Sequence, residues 1–287
     1  MKMFEYDTDM HWTEHYAEHG FCAIRGAVPR AFCDRGIELF GRLWETDLPP
    51  NEWNADTIDP ALFGRVASCV GDRQSPELRA YIEDLYHLPE FNGLLSELFG
   101  PTDEWNGECH AQPFVSLHTQ GSEAELHEHG HVDFVNVRIP VFGDGVLFQV
   151  SLVESDPLSG NLSVNPGWHK PLQKILVENE GFRFHKQSDE AWQALFPEPE
   201  VWEFVVKPGD VALVHHLTGH TGNGNGATSR RPRVVLHGLA SQKHWPNSID
   251  PDDPNLSPWQ RSFAHNGKID LGYDERARQA EKPEKGK

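Results

Sequence analysis

The stretch Lys207-Pro208-Gly209-Asp210-Val211-Ala212-Leu213-Val214-His215-His216-Leu217-Thr218-Gly219-His220 decides how this chain is to be read. Its Pro-Gly-Asp opening is turn chemistry: proline presets one backbone angle, glycine takes angles closed to other residues, and aspartate bonds to its own backbone. The apolar, β-branched run Val211 to Val214 that follows reads as a strand. Segments of the same texture lie on either side of it. Val132 to Val137, Val146 to Val153, Leu162 to Asn165, Trp202 to Val206 and Val234 to Leu239 are all short and bounded by Gly, Pro, Asn or Asp. They predict a many-stranded β region.

The first hundred residues carry a different period. Cys33, Ile37, Phe40 and Trp44 recur at helical spacing after Pro29, and Phe91, Leu94, Leu95 and Leu98 repeat the pattern before Gly100-Pro101 stops it. Helices followed by strands predict a mainly β protein with flanking helices, a sandwich or jelly roll whose sheet is buttressed by the N-terminal helices. We expect one domain, with a helical buttress over 1–110, a jelly-roll core over 111–245 and a C-terminal extension over 246–287. Its charged end, Asp274 to Lys287, is expected to fray.

Composition narrows the function. The chain of 287 residues is 38% hydrophobic and 24% charged, as in ordinary globular proteins. A formal net charge of -19 argues against an electrostatic grip on nucleic acid or an anionic membrane, and Arg230, Arg231 and Arg233 form the one tight basic cluster. No apolar run is long enough to span a bilayer and the N-terminus does not resemble a signal peptide, so the expected compartment is the cytoplasm. Cys22, Cys33, Cys69 and Cys109 make no CxxC pair and read as reduced thiols. Asn161-Leu162-Ser163 matches a glycosylation acceptor, which carries little weight without a secretory signal. The glycine-rich loop Gly219 to Gly226 lacks the lysine of a nucleotide-binding P-loop. The expected partner is a small-molecule substrate.

The densest chemistry lies in His127-Glu128-His129-Gly130-His131-Val132-Asp133. In an extended chain His127, His129, His131 and Asp133 point to one face, and an imidazole and a carboxylate two residues apart can converge on one metal ion. A further ligand is needed, and the segment Leu213 to His220, with His215, His216 and His220, offers candidates. With 17 histidines in the chain, an isolated His-x-Asp is weak evidence. Its surroundings add to it: Gly160-Asn161-Leu162-Ser163-Val164-Asn165-Pro166-Gly167-Trp168-His169-Lys170, then Gly209-Asp210-Val211-Ala212-Leu213-Val214-His215, then His220, then Arg231-Pro232-Arg233.

In that order these segments resemble the phytanoyl-CoA dioxygenase family over about Leu126 to Leu239, with Tyr16 to Phe21 resembling its opening helix and strand. The resemblance implies a double-stranded β-helix, a cupin-like jelly roll. It implies a metal site in which His131, Asp133 and His220 occupy one face of iron(II), with 2-oxoglutarate and dioxygen in the open positions. Hydroxylation with release of succinate and carbon dioxide is the default outcome, and a carboxylate at Asp133 favours it over halogenation. The distal carboxylate of 2-oxoglutarate calls for an arginine. Arg233 is the first choice and Arg231 its rival, since alternation would put both on one face. Gln149 falls where the family often contacts its cosubstrate.

Trp168 departs from the family's small residue, and an altered loop closure or substrate pocket is expected there. His127 and His129 are read as loop residues, while His215 and His216 should point to opposite faces. Phe114, Ser116, His118, Asn136 and Arg138 flank the metal strand as candidate pocket walls. Two other readings stay open. One is a cupin-type zinc hydrolase using His127, His129, His131 and His220 with Glu128 as base; the other is a jelly-roll binding protein without catalysis.

Overall fold

The computed structural model describes residues 2–3, 10–67, 73–100, 105–119, 130–132, 145–178, 194–225, 231–242 and 248–270. His127, Glu128, His129, Asp133, Asn136, Arg138 and the charged tail from Asp274 lie outside the described residues.

The N-terminal part holds strand β1 (Lys2–Met3), helix α1 (Trp12–His19), strand β2 (Phe21–Ile24) and helices α2 (Arg30–Leu43), α3 (Pro60–Phe63), α4 (Pro76–His87) and α5 (Pro89–Phe99). Local chemistry marks the boundaries. Ser75 accepts the Leu78 amide ahead of α4, whose first residue is Pro76, and Asp59 caps α3 in the same way. Gly20 ends α1 in a left-handed conformation at φ 76°, turning the chain directly into β2. The helical pattern read from the sequence falls on α2 and α5, where Cys33, Phe40, Phe91, Leu94, Leu95 and Leu98 are all buried.

The remaining strands are β3 (Trp105–Ser116), β4 (Val146–Ser151), β5 (Leu162–Asn165), β6 (Trp202–Glu203), β7 (Val211–His215), β8 (Gly219–Gly222), β9 (Arg233–Gln242) and the small pair β10 (Ser248–Ile249) and β11 (Ile269–Asp270). Helix α6 (His169–Glu178) follows β5, and the short α7 (Pro258–Arg261) carries a Ser257/Gln260 capping box. One five-stranded antiparallel sheet has the order β2-β7-β4-β9-β3, and a four-stranded sheet has the order β1-β6-β5-β8. The protein is therefore built of mostly antiparallel sheets with flanking helices.

Alternation along the five-stranded sheet serves two cores. Phe21, Ala23, Leu147, Ala212 and Val214 meet Leu162, Val164 and Phe204 of the other sheet. The intervening residues Cys22, Val146, Phe148, Val150, Val211, Leu213 and Leu236 pack against the helices. Each such side chain contributes about 1.5–3 kcal/mol of burial. The turn before β7 is tied down by Asp210, which accepts from the amides of Lys207 and Gly26 and from Arg25 at 2.6 Å. Gly209, at φ 89°, packs so closely on the Val28 carbonyl that a Cβ would sit 2.3 Å from it.

The structure corrects three expectations. Strand β3 begins at Trp105, inside the stretch assigned to the helical buttress, and it escaped notice because polar residues and Pro113 interrupt it; among the described strands it lies at the edge of its sheet, where proline is tolerated. Residues His169 to Glu178, expected only as part of a motif, are helical. His216 does not oppose His215: the chain turns after β7, and the two rings stack with centroids 4.5 Å apart. Other expectations agree with what is seen. Cys22 and Cys33 are buried free thiols, and burial pushes Cys33 up to about 11. Asn161 is buried and donates to the Asp156 carbonyl and to Glu203, which commits it to internal bonds. Among the described residues no helix is long and apolar enough to cross a membrane.

His215 lies on the helix-covered face with Tyr16, His169 and Phe263 around it, its ring 5.1 Å from that of His169. Burial, reinforced by neighbouring imidazoles, holds both His169 and His215 well below the ordinary histidine value of 6.5. Both are neutral in the fold, whereas the unfolded chain takes up protons below that value. Their contribution to stability is thus present above pH 6.5 and lost as pH falls below it, by up to about 1.4 kcal/mol per pH unit for each. Urea midpoints measured between pH 7.5 and 5.5 should fall steeply for the wild type and less steeply for His215→Asn, which can still accept the Leu217 amide. Equal slopes would show that His215 carries no share of the acid sensitivity.

Candidate active site

His220 sits on β8, where its neighbour across the ladder is Val164 of β5. On its other side it forms an isolated antiparallel bridge with His131, the amide of each donating to the carbonyl of the other at 3.0 and 2.9 Å. The two imidazoles that sequence spacing singled out are consequently side by side, ring centroids 4.5 Å apart. His220 is buried and His131 exposed, so the pair forms the boundary between the inter-sheet space and the surface.

The His220 Nδ1–H donates to the Thr218 carbonyl at 3.0 Å, which leaves the lone pair of the neutral ring on Nε2. That is the arrangement by which metal-binding histidines are oriented. Asp133, the expected carboxylate, lies outside the described residues, and among those residues no cluster of three metal-ligating side chains is complete.

Arg233 opens β9 opposite Ser116 of β3 and projects between the sheets, where it is 3% exposed. Its Nη2 donates to Gln149 Oε1 at 2.7 Å and its Nη1 to the Gly160 carbonyl at 3.1 Å, and the Phe114 ring lies 5.0 Å from the guanidinium carbon. None of the carboxylates among the described residues forms an ion pair with it. Burial lowers this guanidinium to about 10, so it remains a cation at neutral pH. A Cβ on Gly222 would lie 3.0 Å from its Nη1, which places the charge beside β8, two residues beyond His220 and on the same face of the strand. A small cavity of about 20 Å³, room for a single water, adjoins it and is lined by Gln149, Ser151, Asn161, Phe204 and Asp210.

Arg231 is elsewhere. It precedes β9, so strand alternation does not govern it, and it lies at the surface paired with Glu154 at 2.7 Å and Asp156 at 3.4 Å. Gln149 bridges Arg233 to His237, its Nε2 lying 3.1 Å from His237 Nδ1. Among the expected wall residues, Phe114 and Ser116 share the inward face with Arg233, whereas His118 lies past the end of β3, paired with Asn54. Phe114 is 36% exposed, so its ring reaches from Arg233 to the surface.

Trp168 is packed internally among the described residues. It is 3% exposed, stacks on Phe196 at 3.9 Å and packs against Gly219, where a Cβ would lie 2.5 Å from the ring. The loop nevertheless closes, with Gly167 at φ 76° and its amide on the His19 carbonyl. Sequence reasoning passed over His237, Thr218 and Asn165. Inward alternation from Arg233 would have reached His237; the other two are visible only once β8 is seen beside residues 130–132.

The phytanoyl-CoA dioxygenase family model matches residues 16–233. No curated protein matches the chain. Solved structures share the fold. The non-heme alpha ketoglutarate dependent carbocyclase SnoK from nogalamycin biosynthesis is 17% identical, with a TM-score of 0.53 over 82% of this chain and 84% of its own. EctD from S. alaskensis, solved with 2-oxoglutarate and 5-hydroxyectoine, is 17% identical with a TM-score of 0.52 over 84% of this chain and 79% of its own. The epimerase SnoN is 14% identical with a TM-score of 0.51 over 80% and 81%. With a match that begins in α1 and ends at Arg233, the chain belongs to the phytanoyl-CoA dioxygenase family, whose cofactors are iron(II), 2-oxoglutarate and dioxygen.

Proposed function

We propose that this chain is an iron(II)- and 2-oxoglutarate-dependent hydroxylase acting on an aliphatic carbon of a small-molecule metabolite, with His131, Asp133 and His220 as iron ligands and Arg233 as the anchor of 2-oxoglutarate. The two sheets are read as the halves of a double-stranded β-helix within a single domain. The observation that carries this reading is the buried Arg233 cation, held by neutral acceptors and beside the strand that bears His220. A buried charge without a counter-ion is costly, and a dicarboxylate delivered to the site supplies one.

The donor set fits ferrous iron: two imidazoles side by side, one with its tautomer set by a carbonyl, and an aspartate two residues beyond the other. Bound there with 2-oxoglutarate and dioxygen, the metal would supply an oxidant able to remove hydrogen from an unactivated carbon, with release of succinate and carbon dioxide. The protein's own share is positioning. Thr218 aims the His220 lone pair. Gln149 and the Gly160 carbonyl fix the plane of the Arg233 guanidinium, whose remaining N–H groups would receive the distal carboxylate as charge-assisted bonds. Phe114 covers one face of that guanidinium and keeps water from it. Gln149, already bonded to Arg233, would border the bound cosubstrate. Arg231 is satisfied by Glu154 and Asp156 and is assigned no part. Proteins of this fold include one named a carbocyclase and one named an epimerase, so the fold alone does not fix the reaction outcome.

Two measurements test this. Under anaerobic conditions, iron(II) and 2-oxoglutarate together should produce a weak visible charge-transfer band that neither gives alone and that His131→Ala or Asp133→Ala abolishes; an undiminished band in Asp133→Ala would remove that residue from the ligand set. Titrating the same band with 2-oxoglutarate, Arg233→Ala should raise the half-saturating concentration by roughly 10–100-fold, the worth of hydrogen bonds to a charged group. Arg231→Ala should leave it unchanged, as expected of an exposed ion pair. The reverse result would transfer the anchor to Arg231.

A further inference from the structure

Each of the two histidines that meet in the bridge is preceded by a glycine, Gly130 before His131 and Gly219 before His220. Both glycines are packed too closely for any side chain. A Cβ on Gly130 would lie 2.2 Å from the His220 amide nitrogen, and one on Gly219 would lie 2.6 Å from Asn165 Oδ1 and 2.5 Å from the Trp168 ring. The residue on which both converge is Asn165. It ends β5, is 1% exposed, and pairs through its backbone with Gly219. Its side-chain Oδ1 accepts the Gly130 amide at 2.9 Å, and its Nδ2 donates to the Glu200 carbonyl at 3.1 Å.

Among the described residues the 130–132 segment is held by the burial of Val132 in the helix-side core and by hydrogen bonds at Gly130 and His131. Among the described residues the segment meets β8 through one residue pair. The two bridge bonds pair His131 directly with His220, and His131 itself is exposed. The Asn165 bond to Gly130 is a third and buried restraint. It comes from the strand on the far side of β8, so it ties His131 to the same strand that registers His220. Trp168, stacked on Phe196, packs beside the Asn165 amide against the same side of Gly219.

We infer that Asn165 is a positioning residue for the metal centre: by holding the Gly130 amide, it sets the separation of His131 from His220 before iron arrives. It touches neither metal nor cosubstrate. The inference rests on the iron assignment above but adds a residue that the donor set does not contain. Outer contacts of this kind typically change metal affinity by about 10–100-fold.

The test compares iron(II) affinity, measured anaerobically on the intact protein, with thermal melting of the metal-free protein. Asn165→Leu keeps the volume and removes the acceptor, and it should weaken iron(II) binding by about 10–100-fold. Asn165→Asp keeps an oxygen for the Gly130 amide, loses the donor to Glu200, and should bind iron(II) within about threefold of wild type. A role in folding alone would lower metal-free melting in both variants and leave the affinity of the folded fraction intact, which overturns the proposal. Should Asn165→Leu fail to fold, hydrogen exchange in the metal-free wild type decides: a slowly exchanging Gly130 amide is expected, and one exchanging as fast as a free loop overturns the clamp. Wild-type protein that binds no iron(II) overturns the oxygenase reading itself. Wild-type binding matched by Asn165→Leu overturns only the clamp.

Discussion

The register of β9 within the five-stranded sheet is the constraint on which the rest depends. That sheet packs against helices on one side and the second sheet on the other, so residues along β9 turn alternately toward one or the other. Arg233 pairs with Ser116, Val235 with Phe114 and His237 with both Gln112 and Gln149. A slip of one residue would turn Arg233 out of the inter-sheet space and drive its charge against the helices. The apolar residues of alternating face therefore hold a cation where it is costly, and the neutral acceptors Gln149 and Gly160 make that position tolerable without neutralising it. The sheet supplies the energy, and the site uses it to keep one buried charge unmatched by any carboxylate of the described residues.

Much of this was legible in the sequence, for reasons that differ from residue to residue. The short β-branched runs at 146, 162, 211 and 234 became strands because their residues fill a buried pleat whatever the surroundings. His131 and His220 were legible through the order of motifs around them, and the structure brings them to 4.5 Å. Strand β3 was not legible, because polar residues and Pro113 break its alternation, a pattern tolerated at the edge position that it holds among the described strands. The choice between Arg231 and Arg233 was beyond periodicity, since it turns on where β9 begins and on Glu154 and Asp156 standing ready for Arg231. Trp168, unusual beside the family pattern, suggested an altered pocket; its actual partner is Gly219, a residue in a distant segment whose lack of a side chain makes room for the ring.

The division of labour between helices and sheets is less clean than the layering suggests. Gly20, at the junction of α1 and β2, offers its carbonyl to the amide of His215 and to the hydroxyl of Thr218. The carbonyl of the same Thr218 orients His220. A continuous run of hydrogen bonds thus joins the end of the first helix to an imidazole of the proposed iron site. Any attempt to whittle the protein down to a minimal all-β catalyst would sever that run at its first link. The opening helix is part of the instrument as well as its housing, and the smallest working version of this enzyme has to begin with it.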